Sequence, residues 1–121
     1  MATPQGRPTQ SPEEIDRAIR RSLIDRKPVR VIYDGGERVV CPYMIGRSRE
    51  GWVRVLCLQL AGASVTGLEQ RAGAGDWRCL ALEKIRSVEA VALPWTSAGG
   101  AVERPKCIDQ VELAASNAMG A

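Results

Sequence analysis

The sequence predicts a mainly β fold, a small five-stranded barrel preceded by one N-terminal helix. Three observations predict it: a cluster of helix-start signals at residues 11–14, a change of apolar period from helical to two at Pro28, and short apolar runs separated by tight turn signals. With 121 residues, the chain is bounded to one ordinary domain with short tails.

Residues 1–10 are mostly Pro, Gly, Thr and Gln without periodicity and read as a disordered leader. Ser11 is then placed to cap a helix, Pro12 suits its first position, and Glu14 completes a capping box. Ile15, Ala18, Ile19, Ser22 and Leu23 recur at helical spacing, with Asp16, Arg17, Arg20 and Arg21 on the other side. The helix is expected to end near Lys27, because Pro28 disfavours helical backbone in the residue before it.

Val29–Tyr33 reads as the first strand, and Asp34-Gly35-Gly36 as a hairpin turn whose glycines accept positive φ. Arg38–Ile45 is the return strand, with Val39, Cys41, Tyr43 and Ile45 on one face, and Pro42 marks an edge or a bulge. Residues 46–51 are a turn. The third strand, Trp52–Leu60, is apolar on both faces and is therefore expected to be central. Residues 61–76 form a long Gly/Ala-rich loop of the kind that tends to carry function. Trp77–Leu82 is the fourth strand, residues 83–85 a turn or single helical turn, and Ser87–Leu93 the fifth strand. The domain thus spans 11–93. Residues 94–121 form a Gly/Ala-rich tail in which Lys106–Ala115 is expected to form a weak helix. A sheet this short protects its edges by curling closed, and a helix followed by five hairpin-linked strands is the order of SH3-like and Sm-like barrels.

Composition narrows the chemistry. The 17 Lys+Arg against 14 Asp+Glu leave a net charge of +3, too small alone to mark a nucleic-acid binder. The excess belongs to residues 1–60, which hold eleven positive and seven negative side chains. Histidine is absent, which excludes serine-hydrolase triads, His-ligated zinc and His-based acid–base catalysis. The glycine-rich stretches lack the Lys-Ser/Thr ending of a phosphate loop. No catalytic constellation is present, so no enzyme activity and no cofactor are expected. Nothing in the chain reads as a membrane span or a signal peptide. Cys41, Cys57, Cys79 and Cys107 show no Cys-x-x-Cys pair, so a zinc knuckle or thioredoxin-type site has no local support. Four cysteines could form two disulfides in a secreted protein, but nothing suggests export, and a bacterial-type cytoplasmic protein with reduced thiols is expected.

Val29 to Tyr33, Arg38-Val-Val-Cys-Pro42, Gly51-Trp52 and Trp77-Arg78-Cys-Leu80-Ala-Leu82-Glu-Lys84-Ile85 together resemble the WYL domain, over roughly Ile15 to Val91. Gly46-Arg47, Gln59 to Ser64 and Trp77-Arg78 are similar to a subgroup of short stand-alone bacterial members. Val53-Arg54 stands where the family has Tyr-Leu, Leu80 where it has Phe, and Lys84 where it has Arg. The resemblance implies an Sm-related barrel acting as a ligand-sensing or transcription-regulating module. It also implies that Arg78 helps line a pocket for a negatively charged or nucleotide-like ligand. The stretch before the first strand is too short for a helix-turn-helix, so a DNA-reading role would need a regulatory protein partner.

The candidate ligand-binding residues are Arg78, Arg54, Arg47, Arg38, Lys84, Tyr43, Trp52 and Gln59. Arginine forks pair bidentately with phosphate, and Trp52 or Tyr43 would add a stacking face, the combination used by single-stranded nucleic-acid sites. The same residues have plainer roles open to them: Arg78 in an ion pair with Asp76, Glu83 or a C-terminal acid, Lys84 as a solvated turn residue, Tyr43 and Trp52 in the core, Gln59 as a loop anchor. The expected ligand is a nucleotide or single-stranded nucleic acid, bound where the arginines converge. The alternative is a protein-interaction or homo-oligomeric assembly module without a small ligand.

Overall fold

The computed structural model describes residues 9–62, 76–96 and 102–115. Most of the expected leader, nearly all of the expected 61–76 loop and the last six residues lie outside the described residues.

Helix α1 (Pro12–Asp25) begins as its sequence dictates. The Ser11 side chain accepts from the Glu14 amide at 3.1 Å and the Glu14 carboxylate accepts from the Ser11 amide at 2.8 Å, closing the capping box. It ends at Arg26, whose left-handed backbone (φ 55°) donates back to the Ser22 carbonyl. Ile15, Ile19, Ser22 and Leu23 form its buried face. Gln10 belongs to the fold rather than to a leader: its amide donates to the Arg86 carbonyl, and its side-chain oxygen accepts from the Val88 amide.

Strands β1 (Val29–Tyr33) and β2 (Gly36–Arg47) are joined by a two-residue turn, with Tyr33 paired to Gly36. Asp34 (φ 51°) and Gly35 (φ 87°) both take the positive φ that matches the turn to the twist of the strands. Strands β3 (Val53–Gly62) and β4 (Asp76–Ala81) follow. A 3-10 turn over Leu82–Lys84 then leads into β5 (Ile85–Ala90), and β6 (Gln110–Ala114) comes last. All pairings are antiparallel, in the order β4-β3-β2-β1-β5, with β6 on β2. As expected, β3 is central, between β2 and β4.

Three expectations are corrected. The first is closure: no ladder joins β4 to β5 among the described residues, so this is an open six-stranded sheet with one helix and not a closed five-stranded barrel. The 3-10 turn separates the two strands, and β4 and this turn are tied instead to the end of β1, Tyr33 Oη accepting from the Ala81 amide at 3.0 Å and the Lys84 carbonyl accepting from the Asp34 amide. The second is the tail, where a strand replaces the weak helix expected over 106–115. Strand β2 pairs with β1 through residues 36–40 and with β6 through 44–47. Pro42 falls between these ladders, beside a register shift against β3, where a residue without an N–H is tolerated. The third is the thiols: Cys79 is joined to Cys107 by a disulfide (Cα–Cα 6.7 Å), while Cys41 and Cys57 are free and buried.

The sheet is covered on both sides. Alternation along the strands and the registers put Val29, Val31, Val40, Val55, Cys57, Leu80 and Val88 on one face, packed in a single core with Ile15, Ile19 and Leu23 of α1. The other face carries Cys41, Leu56 and Leu58, which belong to the same core as Val102, Ile108 and Ala115 of the C-terminal segment. Tyr43 is fully buried against Trp77 and Trp95, and its hydroxyl donates to the Thr96 carbonyl at 2.6 Å. Burial on both faces explains why residues 40–46 lack the one-sided pattern expected from Val39, Cys41, Tyr43 and Ile45. No helix among the described residues is long and apolar enough to cross a membrane.

Candidate functional site

The register divides the expected arginine set. Arg78 lies opposite Cys57 and Arg54 opposite Ala81. Cys57 and Arg54 are three residues apart on β3, so Arg78 and Arg54 point to opposite faces of the sheet. Arg47 lies opposite Val53, on the face of Arg78 but four residues along β3 from Cys57, so the convergence of Arg78 with Arg47 and Arg54 is not found. Two separate groups replace it.

The first group is Arg38, Gln59 and Arg78. Gln59 shares the face of Cys57 and hence of Arg78, and its amide oxygen accepts from Arg38 Nη1 at 3.1 Å. The Arg38 guanidinium stands 5.1 Å from the centroid of the Tyr33 ring, within cation–π range. Tyr33 is itself pinned by the hydroxyl bond to Ala81, so the stacking face is rigid. Arg38 pairs with no carboxylate among the described residues; its partners are a neutral amide and a ring. Beneath lies Cys57, whose thiol burial pushes far above its usual range, with nearby Cys41 adding to the rise and the Arg38 charge only partly offsetting it. Such a thiol is protonated and is no nucleophile. Gln59, 8% exposed, is the buried polar member that orients Arg38.

The second group surrounds the β2–β3 turn, and here the arginines already have partners. Arg47 Nε lies 2.9 Å from Glu112, and its Nη1 donates to the Gly51 carbonyl. Arg20 of α1 reaches the other Glu112 oxygen at 2.6 Å, so one carboxylate ties α1, β2 and β6 together. Hydrogen bonding from Arg20 is the main reason the Glu112 carboxyl titrates below its ordinary range; burial opposes this and Arg47 adds to it. Arg54 holds Glu83 at 3.2 Å. Trp52 is 56% exposed and lines a groove of about 700 Å³ with Arg47, Val53, Leu82 and Ile85. Lys84 sits exposed on the 3-10 turn, beside Glu83, the partner of Arg54, and its carbonyl accepts from the Asp34 amide next to Tyr33. Tyr43 is a core residue on the opposite face from Arg78.

Sequence reasoning missed Tyr33 as the ring beneath Arg38 and Glu112 as the counter-charge of Arg47. Tyr33 closes a strand directly before the hairpin, and its pairing with Gly36 places Arg38 two residues further along the neighbouring strand. That signal is present in the turn length. No group of three or more metal-ligating side chains is gathered among the described residues. Comparison with known proteins finds no matching family model, no matching curated protein and no matching solved structure.

Proposed function

We propose that this chain is a non-enzymatic sensing module that binds an anionic ligand, a nucleotide or single-stranded nucleic acid, on the face carrying Arg38, Gln59 and Arg78. The observation that carries this reading is Arg38: a guanidinium fixed on a strand, oriented by a buried amide, backed by an aromatic ring and without a carboxylate partner among the described residues. A strand-held fork loses little conformational entropy on pairing with a phosphate, and Tyr33 adds a π-face nearby. The order of helix, hairpin, central strand and short turn before the fifth strand supports reading the chain as a small Sm-like binding module, its sheet left open. Fluorescence anisotropy with labelled oligonucleotides and a nucleotide panel tests it. Arg38→Ala and Arg78→Ala are each expected to weaken binding by about 10-fold or more, with affinity falling as salt is added. Affinities unchanged in both variants would overturn the assignment.

A further inference from the structure

Between the β2–β3 turn and the segment leading into β6 lies a cleft of about 620 Å³. Its walls bring together four cations distant in sequence, Arg49 and Arg54 on one side and Arg104 and Lys106 on the other, against two acids, Glu50 and Asp109. Arg54 is shared with Glu83 outside the cleft, and Arg104 Nη1 donates to the Ile108 carbonyl at 2.6 Å. Arg49 and Lys106 form no ion pair among the described residues. Four positive charges facing one another across a small space with two negative ones leave a local excess that favours an anion.

The wall that carries Arg104 and Lys106 is held in place. Ile108 is fully buried, the Asp109 amide donates to the Arg47 carbonyl at 2.7 Å, and Cys107, itself part of the cleft, is joined to Cys79 of β4. A wall fixed before binding lowers the ordering cost of capturing a ligand. No aromatic side chain lines the cleft, so nothing there stacks on a base. The site reads charge alone.

We infer that this cleft is a second anion site, distinct from the Arg38 face, and that it takes a compact polyanion carrying more than one phosphate group, of the pyrophosphate class. Its cations come from the turn, the start of β3 and the C-terminal segment, whereas Arg38 and Arg78 point from the face opposite to that of Arg54.

Titration calorimetry of the full, disulfide-bonded chain with pyrophosphate at low salt tests the site. The two double variants change side chains that make no hydrogen bond or ion pair among the described residues. Arg49→Ala/Lys106→Ala is expected to weaken pyrophosphate binding by about 10-fold or more, because two phosphate partners are lost. Glu50→Gln/Asp109→Asn is expected to tighten it several-fold by removing the opposing charge. Arg38→Ala is expected to leave it unchanged while weakening oligonucleotide binding, which separates this site from the other. No pyrophosphate binding by the parent chain would overturn the inference. So would equal binding by the Arg49/Lys106 variant, weaker binding by the Glu50/Asp109 variant, or loss of binding in Arg38→Ala.

Discussion

Glu112 shows how a single side chain decides what its neighbours can do. Its two oxygens hold Arg20 and Arg47, so Arg47, which the sequence offers as a ligand-binding residue, is committed to the fold. Nothing local announces this, because the carboxylate stands 65 residues from Arg47. Arg54 is masked in the same way by Glu83, 29 residues away. Residue type and strand position were legible in the sequence, but a counter-charge that arrives from another element was not. The charge on Glu112 also makes a pH prediction. Its carboxyl titrates lower in the folded chain than in the unfolded one, so its stabilisation is complete above about pH 4.3, the ordinary glutamate value, and is lost as pH falls through the lower folded value. Glu112→Gln is expected to cost about 1 kcal/mol at neutral pH, since the pairs are only partly buried, and to flatten the acid limb of the urea-midpoint profile. An acid limb identical to that of the parent chain would refute this account of Glu112.

At the scale of elements, what could be read was what is local. The capping box of α1 and the two-residue β1–β2 turn depend on residues within four positions of one another, and both are where the sequence predicts them. The doubly apolar pattern of β3 likewise marked it as central. Strand β6 stands where the sequence predicts a weak helix, although Val111 and Leu113 alternate with Gln110 and Glu112 at the period of a strand. Alanines near its end favoured helix locally, and the edge of β2 between residues 44 and 47 decided otherwise. Gly46 is the clearest mark of that docking. A Cβ there would lie 2.1 Å from the Gln110 carbonyl oxygen and 2.7 Å from Ile108, and the nearer obstacle is backbone that cannot rotate away. Gly46→Ala is expected to displace β6 and cost about 3 kcal/mol or more, read as a lowered urea midpoint and faster amide exchange at residues 110–114. Parent-like exchange at those amides would show that β6 tolerates the methyl group.

For the whole molecule, mainly β character with one N-terminal helix was legible, because periodicity reports element type. Closure into a barrel and the incorporation of 102–115 were not, because both depend on which edges meet. The Cys79–Cys107 disulfide belongs to this scale, since it joins β4 to the segment before β6 across a separation of 28 residues. Chain-entropy reasoning assigns a bond closing a loop of this length about 3–4 kcal/mol of stabilisation. Chemical denaturation with and without a dithiol reductant is expected to differ by about that amount. Cys79→Ser should reproduce the reduced curve, while Cys41→Ala/Cys57→Ala should keep its sensitivity to reductant. A parent chain indifferent to reductant would mean that packing alone holds the segment.

That covalent link also outlives the fold. When the oxidised protein melts it does not become a free string but a lasso, with everything between residues 79 and 107 still tied in a loop. On the way back, the last stretch of chain has little of the solution to search, because its tether never lets it wander far from β4.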